Sequence, residues 1–233
     1  MRVLVIIPAY NESKNIKSVI ESLKREAPQV DYIIVNDCSK DNTAQICKEN
    51  YFNMVSHPIN LGIGGGVQTG YIYALTNNYD IAIQMDGDGQ HDPKFIKDLI
   101  RPIINDEADI VIGSRFINGE GFQSSRMRRM GIRFLSSLIL FCCGAKVKDV
   151  TSGFRAVNKR FIELYANNYA QDYPEPEAIV FAKLMGARIK EVPVIMKERN
   201  SGKSSINKWK SIYYMIKVSM AILLYRAAFE MGD

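Results

Sequence analysis

A three-layer α/β fold, with helices on both faces of a parallel sheet, is the class this sequence predicts, on three observations. Short aliphatic runs alternate with segments of helical periodicity, the loops between them are short, and polar residues gather directly after the aliphatic runs. Ligands bind at that position in such sheets. The 233 residues suffice for one domain, or one domain with a short appendage. With 47% hydrophobic and 24% charged residues, disorder and low complexity are excluded.

The elements follow in order. Residues 3–7 form a continuous aliphatic run that Pro8 is expected to stop, as for a strand buried on both faces. Ser13 stands where an N-cap would, ahead of Ile16, Val19, Ile20 and Leu23 at helical spacing. Residues 32–35 are a second strand ending at Asn36 and Asp37, residues 43–47 a short helix, and Met54–Ser56 a weaker third strand. The glycine-rich stretch 60–66 reads as a loop opening a helix through Tyr71 to Leu75. Residues 81–85 are a strand ending at Asp86-Gly87-Asp88-Gly89, residues 95–104 a helix, and residues 110–112 a strand ending at Gly113-Ser114-Arg115. No internal repeat or linker is evident.

After residue 120 the pattern changes. Residues 124–143 carry Arg126, Arg128, Arg129 and Arg133 and then an apolar stretch from Phe134. Residues 209–229 place apolar side chains at 209, 212, 213, 216, 220, 223 and 224 on one helical face. Flanked by Arg and Lys, the two segments read as interfacial helices that rest on a membrane surface or dock to a small membrane protein. No span approaches the ~20 uninterrupted apolar residues of a transmembrane helix. The first eight residues read as a strand rather than a secretion leader. The four cysteines, without CxxC spacing, read as reduced thiols of a cytosolic chain. Thirty Lys+Arg against 25 Asp+Glu is a modest excess, and no nucleic-acid partner is expected.

The strongest chemical signal is Asp86-Gly87-Asp88 at a strand end. Carboxylates at i and i+2 can converge on a hard cation once the chain turns, and oxygen ligands suit Mg²⁺ or Mn²⁺. A polar Asp-Gly turn explains most isolated occurrences. Here Gln90 and His91 follow, and Asp37 closes another strand. The glycine stretch lacks the GK[ST] of a P-loop, and Val67 stands where a dinucleotide fingerprint has its third glycine. His57 and His91 make no zinc set and no Ser-His-Asp triad; His57, before Pro58, reads as structural.

Pro8-Ala9-Tyr10-Asn11-Glu12, Asn36-Asp37-Cys38-Ser39, Asn60-Leu61-Gly62, Asp86-Gly87-Asp88-Gly89-Gln90-His91, Gly113-Ser114-Arg115 and Thr151-Ser152-Gly153-Phe154-Arg155 resemble family 2 glycosyltransferases. The similar branch is that of the dolichyl- and undecaprenyl-phosphate sugar synthases, and the resemblance runs from residue 3 to about 206 with the motifs in order. It implies a GT-A fold, a nucleotide-sugar donor, a divalent metal and an inverting transfer. It divides the chain into a transferase domain at 1–206, with 124–143 as an acceptor or interface helix, and an amphipathic C-terminal helix at 207–233.

By the same resemblance Pro8, Tyr10, Glu12 and Asp37 hold the base and ribose, with Gly62, Asp86 and Gly87 in the nucleotide-binding set. Asp86 and Asp88 are the metal pair, with Gln90 beside them. Arg115, Arg126 and Arg129 mark the acceptor-phosphate site, and Arg199 the diphosphate clamp. Glu177 falls where the branch has an acidic residue ahead of a helix. The doubled Pro174-Glu175-Pro176-Glu177 leaves open which carboxylate faces the site. Departures are Asn36 and Cys38 for the usual Asp and Gly, and Ser205 for a clamp lysine whose charge would come from Lys203 or Lys208. Arg129 or Met130 stands for an acceptor-loop serine.

The mechanism then expected is metal and Arg199 stabilising the departing UDP or GDP while an acceptor attacks the anomeric carbon. A lipid phosphate is already anionic and needs cations rather than a base, which the arginines ahead of residues 134–141 supply. A glycan hydroxyl would need a base, Glu175 or Glu177. A non-catalytic subunit that binds nucleotide sugar is the alternative of a different class. The polyprenyl-phosphate acceptor is preferred, with a UDP-sugar ahead of GDP-mannose and the protein peripheral on the cytoplasmic face of a membrane.

Overall fold

The computed structural model describes residues 1–123, 125–171, 174–198 and 208–232, the last helix as backbone alone at 208–214 and 228–232. Among these residues the strands β1 (Val3–Ala9), β2 (Asp31–Asn36), β3 (Met54–Ser56), β4 (Ile81–Gln84), β5 (Ile110–Ser114), β6 (Arg155–Asn158) and β7 (Ile189–Pro193) form one sheet in the order β3-β2-β1-β4-β6-β5-β7. Its helices are α1 (Ile16–Glu26), α2 (Thr43–Glu49), α3 (Gly62–Thr76), α4 (Ile96–Ile104), α5 (Arg126–Cys143), α6 (Lys159–Asn167), α7 (Pro174–Leu184) and α8 (Lys208–Gly232).

β1 alternates its side chains between two cores. Leu4 and Ile6 join residues of α3, α5, α6, α7 and α8 on one face, whereas Val5 and Ile7 join residues of α1, α2 and α4 on the other. The three layers are as expected; the all-parallel sheet is not. β6 runs antiparallel to both β4 and β5. The chain re-enters the sheet beside the end of β5, where Gly113 N donates to Phe154 O at 2.8 Å, so the next strand must run the other way. This reversal brings residues 151–155 to the same edge as Asp86.

Several local expectations change for identifiable reasons. Pro8 does not end β1, which continues to Ala9 in register with Val35 and Asn36 of β2. Ile6 O accepts from Met85 N, so the even-numbered residues face β4, and at Pro8 that neighbour has already left the sheet. The missing N–H therefore breaks no ladder bond. Ser13 does not cap α1; Asn15 occupies the cap position, while Ser13 N donates to Asp41 Oδ2 at 3.1 Å. A 3-10 turn at Pro93–Phe95 precedes α4.

The glycine stretch is helix rather than loop from Gly62 onward. A Cβ at Gly64 would collide with the carbonyls of Ala170 and Gln171, and one at Gly70 with Ile6 of β1. These glycines let α3 approach the sheet and the segment after α6.

α5 and α8 lie side by side. Gly131 faces Met215, and Arg226 Nη1 donates to Cys142 O at 2.9 Å, so the contacts advance together and the helices are parallel. Each turns an apolar stripe outward: Met127, Met130, Phe134 and Phe141 on α5, and Ile216, Met220, Leu223 and Leu224 on α8. Their inner faces, including Ile132, Leu135, Val218 and Ile222, are core. The side chains of Trp209, Ile212 and Tyr213 lie outside the described residues. Among the described residues, no helix is long and apolar enough to cross a membrane.

Candidate active site

The site forms where β1, β2 and β4 end together. After Met85 the chain turns away through Gly87, whose Cα lies so close to β1 that a Cβ would stand 3.1 Å from Pro8 O, and through Gly89 at φ +81°. Asp86 N donates to His91 Nδ1 at 3.0 Å, and Gln90 N donates to Asp88 Oδ1 at 3.0 Å. His91 is buried and stacked on Phe154, with centroids 4.8 Å apart. Burial pushes its pKa down to about 4, so the ring is neutral near pH 7 with Nδ1 as an acceptor. The Nε2–H tautomer that follows faces Asp86 Oδ2 at 3.8 Å.

Asp86 is one-third exposed, and a Cβ at Gly153 would lie 3.1 Å from its Oδ1. The glycine of the 151–155 motif thus makes room for this carboxylate. Asp86, Asp88 and Gln90 share one turn, as the metal reading requires. Gln90 is also tied to the segment before residue 199: its Nε2 donates to Lys197 O at 3.3 Å, and its O accepts from Lys197 N at 2.9 Å. No group of three or more His, Cys, Asp or Glu side chains able to hold a metal occurs among the described residues. Two carboxylates and an amide oxygen suit a hard divalent cation whose remaining positions are filled by phosphate oxygens and water.

On the other side of β1, Tyr10 is exposed at the rim while Glu12 is buried in the turn leading into α1, accepting from Asn15 Nδ2 at 2.6 Å. The loops after β1 and β2 are cross-tied: Asn11 N donates to Ser39 Oγ, and Lys40 N to Asn11 Oδ1. Asp37 is buried, and its Oδ1 and Oδ2 accept from Leu61 N and Gly62 N, each at 2.8 Å. The start of α3 is therefore occupied by a carboxylate of the chain itself. Gly62, at φ +79°, supplies the turn that presents those amides.

The arginines that the resemblance assigns to the acceptor phosphate separate into two kinds. Arg115 is buried, and its Nε and Nη2 fork onto the fully buried Asp149 at 2.7 and 2.6 Å; Nη2 also reaches Thr151 Oγ1 at 3.0 Å. Asp149 is held in turn by Glu191, which accepts from its N–H at 2.9 Å. Arg115 thus braces the end of β5. Gln123 Nε2 donates to its carbonyl at 3.0 Å, which brings the approach to α5 beside it. Arg126 is exposed and Arg129 half-buried, on the first turn of α5, which holds no acidic residue; Ser125 caps it by accepting from Arg128 N. Cations at the positive end of a helix repel its dipole, an arrangement that favours an anion there.

Glu175 and Glu177 both lie within the first turn of α7, not ahead of it. Burial raises the Glu175 pKa, the Arg155 charge opposes this, and the Asp86 charge adds to it. Glu177 lines a small cavity with Tyr165, Tyr169, Phe181 and Tyr225, and its charge joins burial in raising the Tyr225 phenol. Glu175 is accordingly the carboxylate on the Asp86 side. Arg155, to which the sequence assigns no role, is fully buried beneath it, donating to Ser152 O and, through Nη1, to Glu175 O at 3.1 Å. Its only sequence signal is its place at the end of the Thr-Ser-Gly-Phe-Arg motif. Arg199, Lys203 and Ser205 lie outside the described residues, as does the Lys208 side chain.

Residues 4–165 match the family model described as glycosyl transferase family 2. The chain is 35% identical over 212 residues to a UDP-N-acetylglucosamine–dolichyl-phosphate N-acetylglucosaminyltransferase of Methanococcus voltae, covering 82% of this chain and 84% of that one. It is 30% identical to an undecaprenyl-phosphate mannosyltransferase of Micrococcus luteus, over 89% and 88% of the two chains. Among solved structures, glucosyl-3-phosphoglycerate synthase from Mycobacterium tuberculosis, with Mn²⁺, UDP-glucose and phosphoglyceric acid, superposes with a TM-score of 0.72 at 21% identity over 97% of this chain and 80% of that one. That likeness is one of fold, the GT-A fold. A strand-end Asp-Gly-Asp turn, a sheet whose antiparallel strand delivers a glycine to it, and a family match across most of the chain lead to one conclusion: this protein belongs to glycosyltransferase family 2 and is a glycosyltransferase.

Proposed function

We propose that this chain transfers a sugar from a nucleotide sugar to a polyprenyl phosphate at a membrane surface, with a divalent cation held by Asp86 and Asp88. The observation that carries the acceptor is the composition of α5: arginines on its first two turns, then the exposed stripe Met127, Met130, Phe134 and Phe141. An anionic head with an apolar tail matches that order. The names of the two relatives support it, since both act on polyprenyl-type phosphates. The Mn²⁺ and UDP-glucose of the structural neighbour support the donor and the metal.

Bound at Asp86 and Asp88, with Gln90 beside them, the cation would supply charge to the departing diphosphate. The rest is done by the chain. Neutral His91 fixes the Asp86 backbone, and Gly153 leaves its carboxylate room. Tyr10 and the Asp37 loop form the far wall against which a nucleoside would lie. Arg126 and Arg129 take the acceptor phosphate, which is already anionic near neutral pH and attacks without a base. The parallel apolar stripes of α5 and α8 rest on the bilayer, making the protein peripheral at a membrane.

A second reading, a glycan hydroxyl as acceptor, is favoured by one feature: the raised carboxyl of Glu175 beside Asp86, suited to taking a proton. The test is a thermal-shift titration of UDP and GDP with and without Mn²⁺, followed by transfer to undecaprenyl phosphate in detergent. Metal-dependent stabilisation that Asp88→Ala abolishes is expected. Transfer that survives Glu175→Gln and weakens with Arg126→Ala and Arg129→Ala supports the lipid phosphate. Loss of chemistry in Glu175→Gln with donor binding intact would move the acceptor to a hydroxyl.

A further inference from the structure

We propose that His57 is a positioning residue for the donor nucleotide, which it serves by bridging Asp37 to Thr69. The proposal rests on the nucleotide-sugar reading above. His57 lies between β3 and α3, and its backbone N donates to Asn36 O at 3.0 Å, which lays its loop along the end of β2. Its ring is buried between two partners: Nδ1 is 2.8 Å from Asp37 Oδ1, and Nε2 is 2.9 Å from Thr69 Oγ1 on α3.

The proton accounting fixes one end. A carboxylate only accepts, so Nδ1 carries a proton whichever state the ring adopts. With a neutral ring the Thr69 hydroxyl donates to Nε2; with Nε2 also protonated the ring donates to Thr69 Oγ1, whose own proton goes to Gly65 O, 2.9 Å away. In both cases the ring spans from the Asp37 loop to the second turn of α3.

What is held matters for the donor. The Asp37 carboxylate already carries Leu61 N and Gly62 N, and its backbone O accepts from Asn60 Nδ2 at 3.0 Å. Asp37 N in turn donates to Ala9 O at 2.9 Å, next to Tyr10. The next residue, Cys38, sits at φ +56°, a left-handed conformation that a non-glycine residue keeps only when its surroundings impose it. His57 therefore secures the wall of the cleft on the Asp37 side of β1. The metal turn hangs from β4, on the other side. Adjacent strands are about 4.8 Å apart, so the two walls stand ~10 Å from each other, the span between a base and its diphosphate. Loss of the ring should weaken nucleotide binding and spare the metal.

The experiment is calorimetric titration of UDP and GDP in Mn²⁺, with Mn²⁺ binding to the nucleotide-free protein followed separately by electron paramagnetic resonance. For whichever nucleotide the wild type binds, His57→Leu should raise Kd roughly tenfold, as expected for a carboxylate deprived of one buried donor. Mn²⁺ affinity should be unchanged. His57→Asn, whose amide N–H can take the place of Nδ1–H, should recover most of the loss. Thr69→Val, which cuts only the far bond, should raise Kd about threefold, and it carries the test if His57→Leu does not fold. Unchanged nucleotide affinity in Thr69→Val and His57→Leu, equal loss of Mn²⁺ binding, or no recovery in His57→Asn would overturn the proposal while leaving the donor reading intact. A wild-type protein that binds neither nucleotide overturns both.

Discussion

Changing Asp149 to asparagine removes one charge from a pair that is almost wholly shielded from water, the side chains of Arg115 and Asp149 being 7% and 0% exposed. Three bonds converge on the aspartate from that one residue, from Arg115 N, Nε and Nη2 at 3.0, 2.7 and 2.6 Å. The amide that replaces the carboxylate would point a donor at a guanidinium that has only donors, leaving a buried cation without its counter-charge. Breaking such a pair from one side destabilises by about 3–5 kcal/mol. For a chain of this size that corresponds to a fall of roughly 6–20 °C in Tm. Urea unfolding at pH 7 measures it directly, as a lower midpoint with an unchanged slope. The double substitution Arg115→Met with Asp149→Leu removes both charges and should be less destabilised than the single one, by ~2 kcal/mol or more. A single variant within ~1 kcal/mol of wild type, or a double variant no better than the single, would refute the assignment of Arg115 as a brace. It would return that guanidinium to the phosphate-binding set.

Three further outcomes are expected. The folded-state pKa of His91, about 4, lies below its unfolded value near 6.5, so the neutral ring contributes stability that is full above pH ~6.5 and lost as pH falls through ~4. The loss is roughly 2–4 kcal/mol, and His91→Gln should flatten that part of a stability–pH profile; an unchanged profile counts against the burial argument. Gly70→Ala drives a methyl into Ile6 and should destabilise by about 1–3 kcal/mol in urea, whereas Gly119→Ala meets nothing within 4 Å and is strained only through its φ of +70°. Phe134→Asp with Phe141→Asp should abolish sedimentation with phosphatidylglycerol vesicles without lowering Tm, because both rings are solvent-exposed in the free protein (55% and 87%). Persistent sedimentation would place the contact elsewhere.

The sequence made the β1–β4 half of the molecule legible and the half that follows β4 much less so. β1, β2 and β4 announce themselves as aliphatic runs, each with polar residues at its end, and Ile16, Val19, Ile20 and Leu23 are all buried on α1 as their spacing predicts. β6 gives no such signal. Four residues, Arg-Ala-Val-Asn, with an arginine that is buried and held by main-chain carbonyls, do not look like a strand. Nor does any local pattern show that the strand runs backwards, because direction depends on where residues 144–154 deliver the chain. The glycines misled in a related way. The stretch 60–66 reads as a loop opening a helix, but it is helix from Gly62, and what Gly64 and Gly70 meet are carbonyls after α6 and Ile6 of β1, contacts far away in sequence.

The arginines show why a charge cannot be assigned from sequence until its burial is known. Arg115, Arg155 and Arg126 all belong to motif-rich segments and would carry the same formal role as cations. Arg115 is neutralised by Asp149, and Arg155 is enclosed beneath Glu175 with main-chain acceptors. Arg126 alone of the three stands exposed, at a helix start with no acidic residue in its first turn. A guanidinium already paired inside the protein has little field left for a ligand, whereas one in the open at a positive helix end repels its neighbours until an anion arrives. Of these three, Arg126 is the one left to meet a phosphate under the proposed function, beside the apolar stripe of α5 that faces outward. An acceptor that used both would have to bring its negative charge and its hydrocarbon in the same molecule, as the proposed polyprenyl phosphate does.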